Sequence, residues 1–232
     1  MIDRGNQDWR LMSRPAVIFD AGAPRSGQFD DDYYSPADGL AESHYVYIEG
    51  GKIIERIEAL KSGETLTILE LGIGTGLNLA LVMQAWSRHA SAGAHCHYIG
   101  VEKYPMSRSQ LTEANAPWET LIDINDIIVS RWPQPVPGCH RRQSMMQGFT
   151  ADFWWGDAAE VLTDLASYQS RWIDVWFLDG FSPARNESMW SETVMKQLKP
   201  LSNPGAVVTT FTAARCTLNS IHSYSKSFMS FF

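Results

Sequence analysis

Cysteine is scarce: the 232-residue chain holds three, Cys96, Cys139 and Cys216. Three scattered thiols cannot make a disulfide framework, and an odd count fits a reducing compartment. No stretch reaches the roughly 18 consecutive apolar residues that a membrane-spanning helix needs. The N-terminus, Met-Ile-Asp-Arg-Gly-Asn-Gln-Asp-Trp-Arg, lacks the basic-then-apolar order of a secretory signal. Together these absences predict a cytoplasmic protein with no membrane partner. Metal-binding spacing is missing too. His95-Cys96-His97 alternates faces on a strand and neither CxxC nor HExxH occurs, so no metal site is expected. Positive charge is not in excess. A net charge of -7 argues against a whole-surface grip on nucleic acid, because phosphate neutralisation drives such binding, but it is compatible with a local patch. One stretch, Arg131 to Arg142, gathers three arginines and a histidine among prolines. It reads either as a phosphate-contacting loop or as an ordinary solvated one.

What the chain does have is apolar content, 44% hydrophobic against 19% charged residues, enough for the core of one domain. Residues 1–45 are polar and aromatic with many turn formers, and read as an irregular arm packed on the domain with at most a short hairpin. Residues 46–216 then alternate. Tyr45 to Leu60 has helical spacing interrupted at Gly50-Gly51, and the apolar run Leu66 to Leu71 is a buried strand leading through glycines into a helix over Leu77 to His89. Further strands fall at 97–102, 153–155, 173–178 and 206–211, with helices at 107–114, 158–165 and 192–198. Five strand–helix alternations with short links predict an α/β fold, a mostly parallel sheet with helices on both faces.

The strand-loop Thr67-Ile-Leu-Glu70-Leu-Gly72-Ile-Gly74-Thr-Gly76 carries the first chemical signal. Gly72, Gly74 and Gly76 let the backbone turn sharply and approach a ligand where a Cβ would collide. The spacing is G-x-G-x-G rather than the G-x-G-x-x-G that seats a pyrophosphate on a helix N-terminus. It therefore favours S-adenosylmethionine over a dinucleotide, with Glu70 suited to the cationic amino-acid tail. Glu102 closes the second strand, 26 residues after Gly76, where an acid accepts hydrogen bonds from ribose hydroxyls or is simply a polar strand end. Asp157 either reads an adenine amino group or caps the helix that follows it. After the fourth strand, Asp179 sits at the carboxyl edge where open α/β sheets bind ligands, among the aromatic residues Phe181 and Trp190. An acid there can bind a substrate amine and help remove its proton, which makes Asp179 the catalytic candidate. Phe181 and Trp190 are either a stacking surface for a nucleobase or core.

These residues closely resemble the methyltransferase domain of the bacterial bifunctional family that makes 5-methylaminomethyl-2-thiouridine at the tRNA wobble position. The stretches that carry the resemblance are Phe29-Asp-Asp-Asp-Tyr-Tyr-Ser, Asp38-Gly-Leu-Ala-Glu-Ser, Ile68 to Asn78 and, above all, Trp176-Phe-Leu-Asp-Gly-Phe-Ser-Pro-Ala-Arg-Asn with Met189-Trp190. The glycine loop is common to many methyltransferases, whereas the block around Asp179 is far more specific. The resemblance implies a Rossmann-like methyltransferase fold and N-methylation of an aminomethyl uridine in tRNA. It puts Asp179 beside that nitrogen, Phe181, Arg185 and Trp190 toward the substrate, and Gly72, Gly74, Glu102 and Asp157 around S-adenosylmethionine. A flavin-dependent oxidase, as a further domain or a separate chain, is the implied partner. Residues 217–232 depart from the family, with neither helical periodicity nor its basic closing motif. This aberrant tail predicts that the terminal strands are missing, leaving an exposed apolar edge and an unstable, impaired chain. Two other readings remain open: an aminopropyl or methyl transferase for small amines, and a binding domain without turnover.

Overall fold

The computed structural model describes residues 11–19 and 23–211. The N-terminal arm is more regular than its composition predicts. Three short strands, β1 (Val17–Phe19), β2 (Pro24–Ser26) and β3 (Asp31–Asp32), form an antiparallel sheet. Helix α1 (Gly39–Ser43) starts at the Asp38 cap and runs directly into a π-helical stretch, His44–Glu49. The expected boundary at residue 45 thus falls inside a continuous helical segment, which breaks only at Gly50-Gly51 before helix α2 (Ile53–Ala59).

Strand β4 (Thr65–Leu71) is buried at every position after Thr65. Covered on both faces, it has no solvent side to populate with polar residues, hence its continuous apolar run. The chain continues through α3 (Leu77–His89), β5 (His95–Glu102), α4 (Arg108–Asn115), α5 (Ile122–Arg131), β6 (Gly138–Met146), β7 (Phe149–Trp155), α6 (Ala158–Tyr168), β8 (Ile173–Leu178), α7 (Glu192–Leu201) and β9 (Ser202–Thr210). Strands β4 to β9 form a six-stranded sheet in the order β6-β7-β5-β4-β8-β9. Only β6 runs antiparallel to its neighbour. Alternate strand residues feed two cores. Ile68, Tyr98 and Phe177 pack under α2 and α3, and Leu69, Ile99 and Trp176 pack under α6 and α7.

The expected α/β class, with a mostly parallel sheet between helices, is what forms. The stretch Arg131 to Arg142 is only partly a loop: Arg131 ends α5, residues 132–137 connect, and residues 138–146 are the edge strand β6. An edge strand exposed along most of its length needs no apolar alternation, so its sequence looks like a solvated connection. Its Arg141 instead makes a double hydrogen bond to Asp152 on β7, at 2.8 and 2.7 Å. The strand expected at 206–211 starts earlier, at Ser202, and its register against β8 is irregular. The 217–232 tail and any strands beyond β9 lie outside the described residues.

Asp152 is also bonded to His97 at 2.8 Å and is almost fully buried. Burial alone would raise its pKa, but the Arg141 and His97 hydrogen bonds outweigh it and hold the carboxyl down at about 2. A depressed carboxylate contributes stability above its unfolded pKa and loses it as pH falls through the folded value. Asp152→Asn should therefore lower the unfolding free energy by about 1–3 kcal/mol at neutral pH, because Arg141 is half exposed and part of the attraction is screened. Urea unfolding checks this, and the deficit should shrink toward about pH 3.

Candidate active site

Strand order places the site. From β4 the chain builds outward to β5 and β7 on one side, then returns to place β8 and β9 on the other, so a topological switch point lies between β4 and β8. Open α/β sheets bind ligands at the carboxyl ends of the strands at such a point. Leu71 pairs with Leu178 in register, and the next residues out are Gly72 and Asp179. The Asp179 N–H donates to the Leu71 carbonyl at 3.0 Å. Gly72 has φ +86, and a Cβ there would lie 2.5 Å from the Asp179 carbonyl oxygen. Glycine is thus required both by conformation and by the closeness of β8.

A cavity of about 550 Å³ opens over these strand ends. Gly72, Gly74, Glu102, Asp157, Asp179 and Phe181 all line it, so sequence segments up to about a hundred residues apart converge as expected. Glu102 binds the glycine loop itself, accepting from the Gly74 N–H at 3.1 Å and the Tyr104 N–H at 2.8 Å. Burial raises its pKa, partly offset by those backbone donors. Asp157 takes the capping role and also lies on the cavity wall. It caps α6 through the Ala159 N–H at 3.0 Å, pairs with Lys103 at 3.0 Å, and still faces the cavity.

Four expected residues are placed differently. Glu70 is fully buried and does not line the cavity; it lies behind Asn78 and accepts from the Asn78 amide at 2.7 Å and the Tyr98 hydroxyl at 2.5 Å. Strand alternation explains this: Glu70 points with Ile68 into the helix-covered core. Gly76 begins α3 with φ +73 and is outside the cavity lining. Trp190 braces the loop, its indole donating to the Phe181 carbonyl at 2.8 Å, and packs on the α6–α7 core instead of lining the cavity. Arg185 is paired with Asp30 at 2.7 Å on the surface.

That ion pair belongs to a clasp between the arm and the post-β8 loop. Ser182 N–H donates to Asp31 at 3.1 Å, while Phe181 stacks on Phe29 with centroids 4.9 Å apart and meets Tyr33 edge-on at 5.0 Å. Sequence reasoning missed Phe29 and Tyr33 as cavity residues because they lie about 150 positions from Phe181. It also missed Asn78, whose signal was legible: it is the lone amide in the buried run Leu77-Asn-Leu-Ala-Leu-Val-Met83.

The sequence model of the S-adenosyl-L-methionine-dependent methyltransferase family matches residues 119–224. Over those residues the chain is similar to that family. The chain is 37% identical over 198 residues to the tRNA 5-methylaminomethyl-2-thiouridine biosynthesis bifunctional protein MnmC of Aeromonas salmonicida, covering 84% of this chain and 30% of that one. It is 40% identical over 194 residues to the protein of the same name from Pseudomonas fluorescens, covering 84% and 29%. The chain therefore spans about 30% of the length of these curated relatives. Among solved structures, MNMC2 from Aquifex aeolicus matches its fold with a TM-score of 0.69 at 18% identity, over 91% of this chain and 64% of that one.

The cavity suits the family's cofactor. Its floor is glycine backbone in left-handed conformation, and Glu102 and Asp157 offer carboxylate acceptors to hydroxyl and amino groups. Beside them Asn78 Oδ1 is buried without a hydrogen-bond partner, although the amide lines the cavity. The adjoining carboxyls of Glu70 and Asp179 share the Asn78 amide nitrogen, at 2.7 and 2.6 Å. Burial first raises the pKa of each, and for Glu70 the nearby Asp179 charge adds to the rise. Two adjoining buried acids, Asp179 on the cavity wall and Glu70 behind Asn78, are suited to a cationic ligand, which relieves both costs.

A carboxyl whose folded pKa is raised binds its proton more tightly folded than unfolded. In the ligand-free chain this pair should therefore cost stability as pH rises above the ordinary carboxyl value of 4.5, by about 1.4 kcal/mol per unit of raised pKa. Glu70→Gln should flatten that decline. Urea unfolding between about pH 5 and pH 8 measures both, and an equal slope in the variant would contradict the assignment.

Proposed function

We propose that the chain transfers a methyl group from S-adenosylmethionine to the amino nitrogen of 5-aminomethyl-2-thiouridine at the wobble position of tRNA, giving 5-methylaminomethyl-2-thiouridine. The observation that carries the reading is the position of Asp179, on the cavity wall at the β8 end, with the glycine loop on one side and Phe181, Phe29 and Tyr33 on the other. The names of the relatives supply the substrate class.

In this reading the cofactor supplies a methyl group made electrophilic by a positively charged sulfur. Gly72 and Gly74 give it backbone contact, Glu102 accepts from the ribose hydroxyls, and Asp157 accepts from the adenine amino group. The aromatic clasp offers π-faces to the nucleobase, a contact worth about 1–3 kcal/mol per base. Asp179 accepts a hydrogen bond from the substrate amine and takes its proton, freeing the nitrogen lone pair for in-line attack on the methyl carbon. Transfer would replace the S–C bond of the cofactor by the new N–C bond, and the electron pair of the broken bond would remain on sulfur. Arg185 acts from outside, holding the arm to the loop through Asp30. The oxidase partner, domain or separate chain, belongs to the same proposal, because the relatives are named bifunctional.

Transfer of label from methyl-labelled cofactor tests the reading. It predicts incorporation into tRNA bearing 5-aminomethyl-2-thiouridine and none into the same tRNA already methylated. Label in both, or in free diamines instead, would refute the assigned substrate.

A further inference from the structure

Asn78 sits on the first turn of α3 and is 2% exposed. Its amide nitrogen has two hydrogens and two acceptors: Glu70 Oε1 at 2.7 Å and Asp179 Oδ2 at 2.6 Å. Those bonds set the orientation of the amide, since the flipped form would press its oxygen against two carboxyl oxygens. The carbonyl oxygen that results, Oδ1, is buried with no partner, while the residue lines the cavity. A buried unpaired acceptor is costly, of the order of 1–3 kcal/mol, and of the seven side chains with such an atom among the described residues Asn78 alone lines the cavity, where a ligand can satisfy it. What completes this one must donate a hydrogen, and two buried acids beside it demand that the donor be cationic.

We propose that Asn78 is the positioning residue of an ammonium site: its N–H groups hold the Glu70 and Asp179 carboxyls side by side, and its Oδ1 accepts a hydrogen from the ammonium group that docks against Asp179. The inference rests on the methyltransferase reading of the cavity. Two ligands of this chemistry enter it, the α-ammonium of the cofactor and the protonated aminomethyl group of the substrate. Glu70 takes no direct part. Its carboxyl, tied by Tyr98 and Asn78, stops the amide from rotating and leaves Oδ1 as the outward acceptor.

The experiment uses the whole chain and two probes, S-adenosylhomocysteine and its analogue with the α-amino group replaced by hydrogen, titrated calorimetrically into wild type, Asn78→Leu and Asn78→Asp. Thermal melts accompany each titration. If the ammonium is the cofactor's, wild type prefers the amine-bearing probe by at least about tenfold and Asn78→Leu loses that preference. Asn78→Asp, whose second oxygen stands where the amide donated to Glu70 and Asp179, loses the side-by-side hold of the two carboxyls and the preference with it. If the ammonium is the substrate's, both probes bind all proteins alike, but Asn78→Leu raises KM for the aminomethyl tRNA at least about tenfold with a smaller change in kcat. Either result supports the proposal. A folded Asn78→Leu with unchanged probe preference and unchanged KM overturns it. Should Asn78→Leu fail to melt cooperatively, Asn78→Ser takes its place with the same expectations. Wild type that binds neither probe overturns the methyltransferase reading itself, and the proposal with it, so the two failures are distinct.

Discussion

Methyl transfer should fall by about 100- to 10,000-fold in Asp179→Asn, with cofactor affinity falling far less. The substitution keeps the shape of the side chain and an oxygen to accept from Asn78, now at 2.6 Å from Asp179 Oδ2. It removes the charge and the capacity to take a proton. An amine that reaches the site as an ammonium then has no local base, and its lone pair stays occupied. Because the loss lies in the transition state, kcat should carry it, and the pH–rate profile should lose its acid limb. Single-turnover transfer together with calorimetric titration separates the two quantities. Equal losses in transfer and affinity would move Asp179 from the substrate to the cofactor's own ammonium.

The second large effect is at Gly72. Its φ of +86 costs an alanine about 1–2 kcal/mol, and its Cβ would lie 2.5 Å from the Asp179 carbonyl oxygen, which cannot move without shifting the end of β8. Gly63 is the control. It has φ +85, yet a Cβ there meets nothing within 4 Å, so Gly63→Ala isolates the conformational term. Gly63→Ala should cost about 1 kcal/mol and Gly72→Ala about 3 kcal/mol or more, which in a chain of this size lowers Tm by about 6–12 °C. Gly72→Ala should also lose cofactor binding, since both Gly72 and Asp179 line the cavity. Similar costs at the two glycines would mean that the packing of β4 against β8 is looser than the 2.5 Å approach implies.

Much of the fold was legible where burial leaves one solution. β4, α3 and β8 are covered on both faces, so their sequences are apolar runs with sharp ends, and the expected spans 77–89 and 173–178 match α3 and β8. The arm sheet and β6 were not legible because half-exposed edge strands carry no alternation. Helix α5 was passed over although Ile124, Ile127 and Ile128 have helical spacing, since Asn and Asp interrupt the run. In the site, Gly72, Glu102, Asp157, Asp179 and Phe181 were readable because each stands at the carboxyl end of a strand or just past it. Position along a strand does not reveal which face a side chain takes, however. Glu70 was assigned to the ligand and lies one layer behind it, with Asn78 in the place it was given. Arg185 and Trp190 lie in the most specific sequence block, yet the first is tied to Asp30 and the second to the Phe181 carbonyl. A motif marks which loop matters without saying which of its residues face the ligand.

The central claim, a methyl group placed on the aminomethyl nitrogen of a wobble uridine, is tested most directly by nucleoside mass spectrometry of tRNA incubated with the chain and methyl-deuterated cofactor. The account predicts that 5-aminomethyl-2-thiouridine is converted to its labelled N-methyl derivative by wild type and not by Asp179→Asn. Label on a ring atom, a ribose or another nucleoside, or conversion undiminished in the variant, would contradict it.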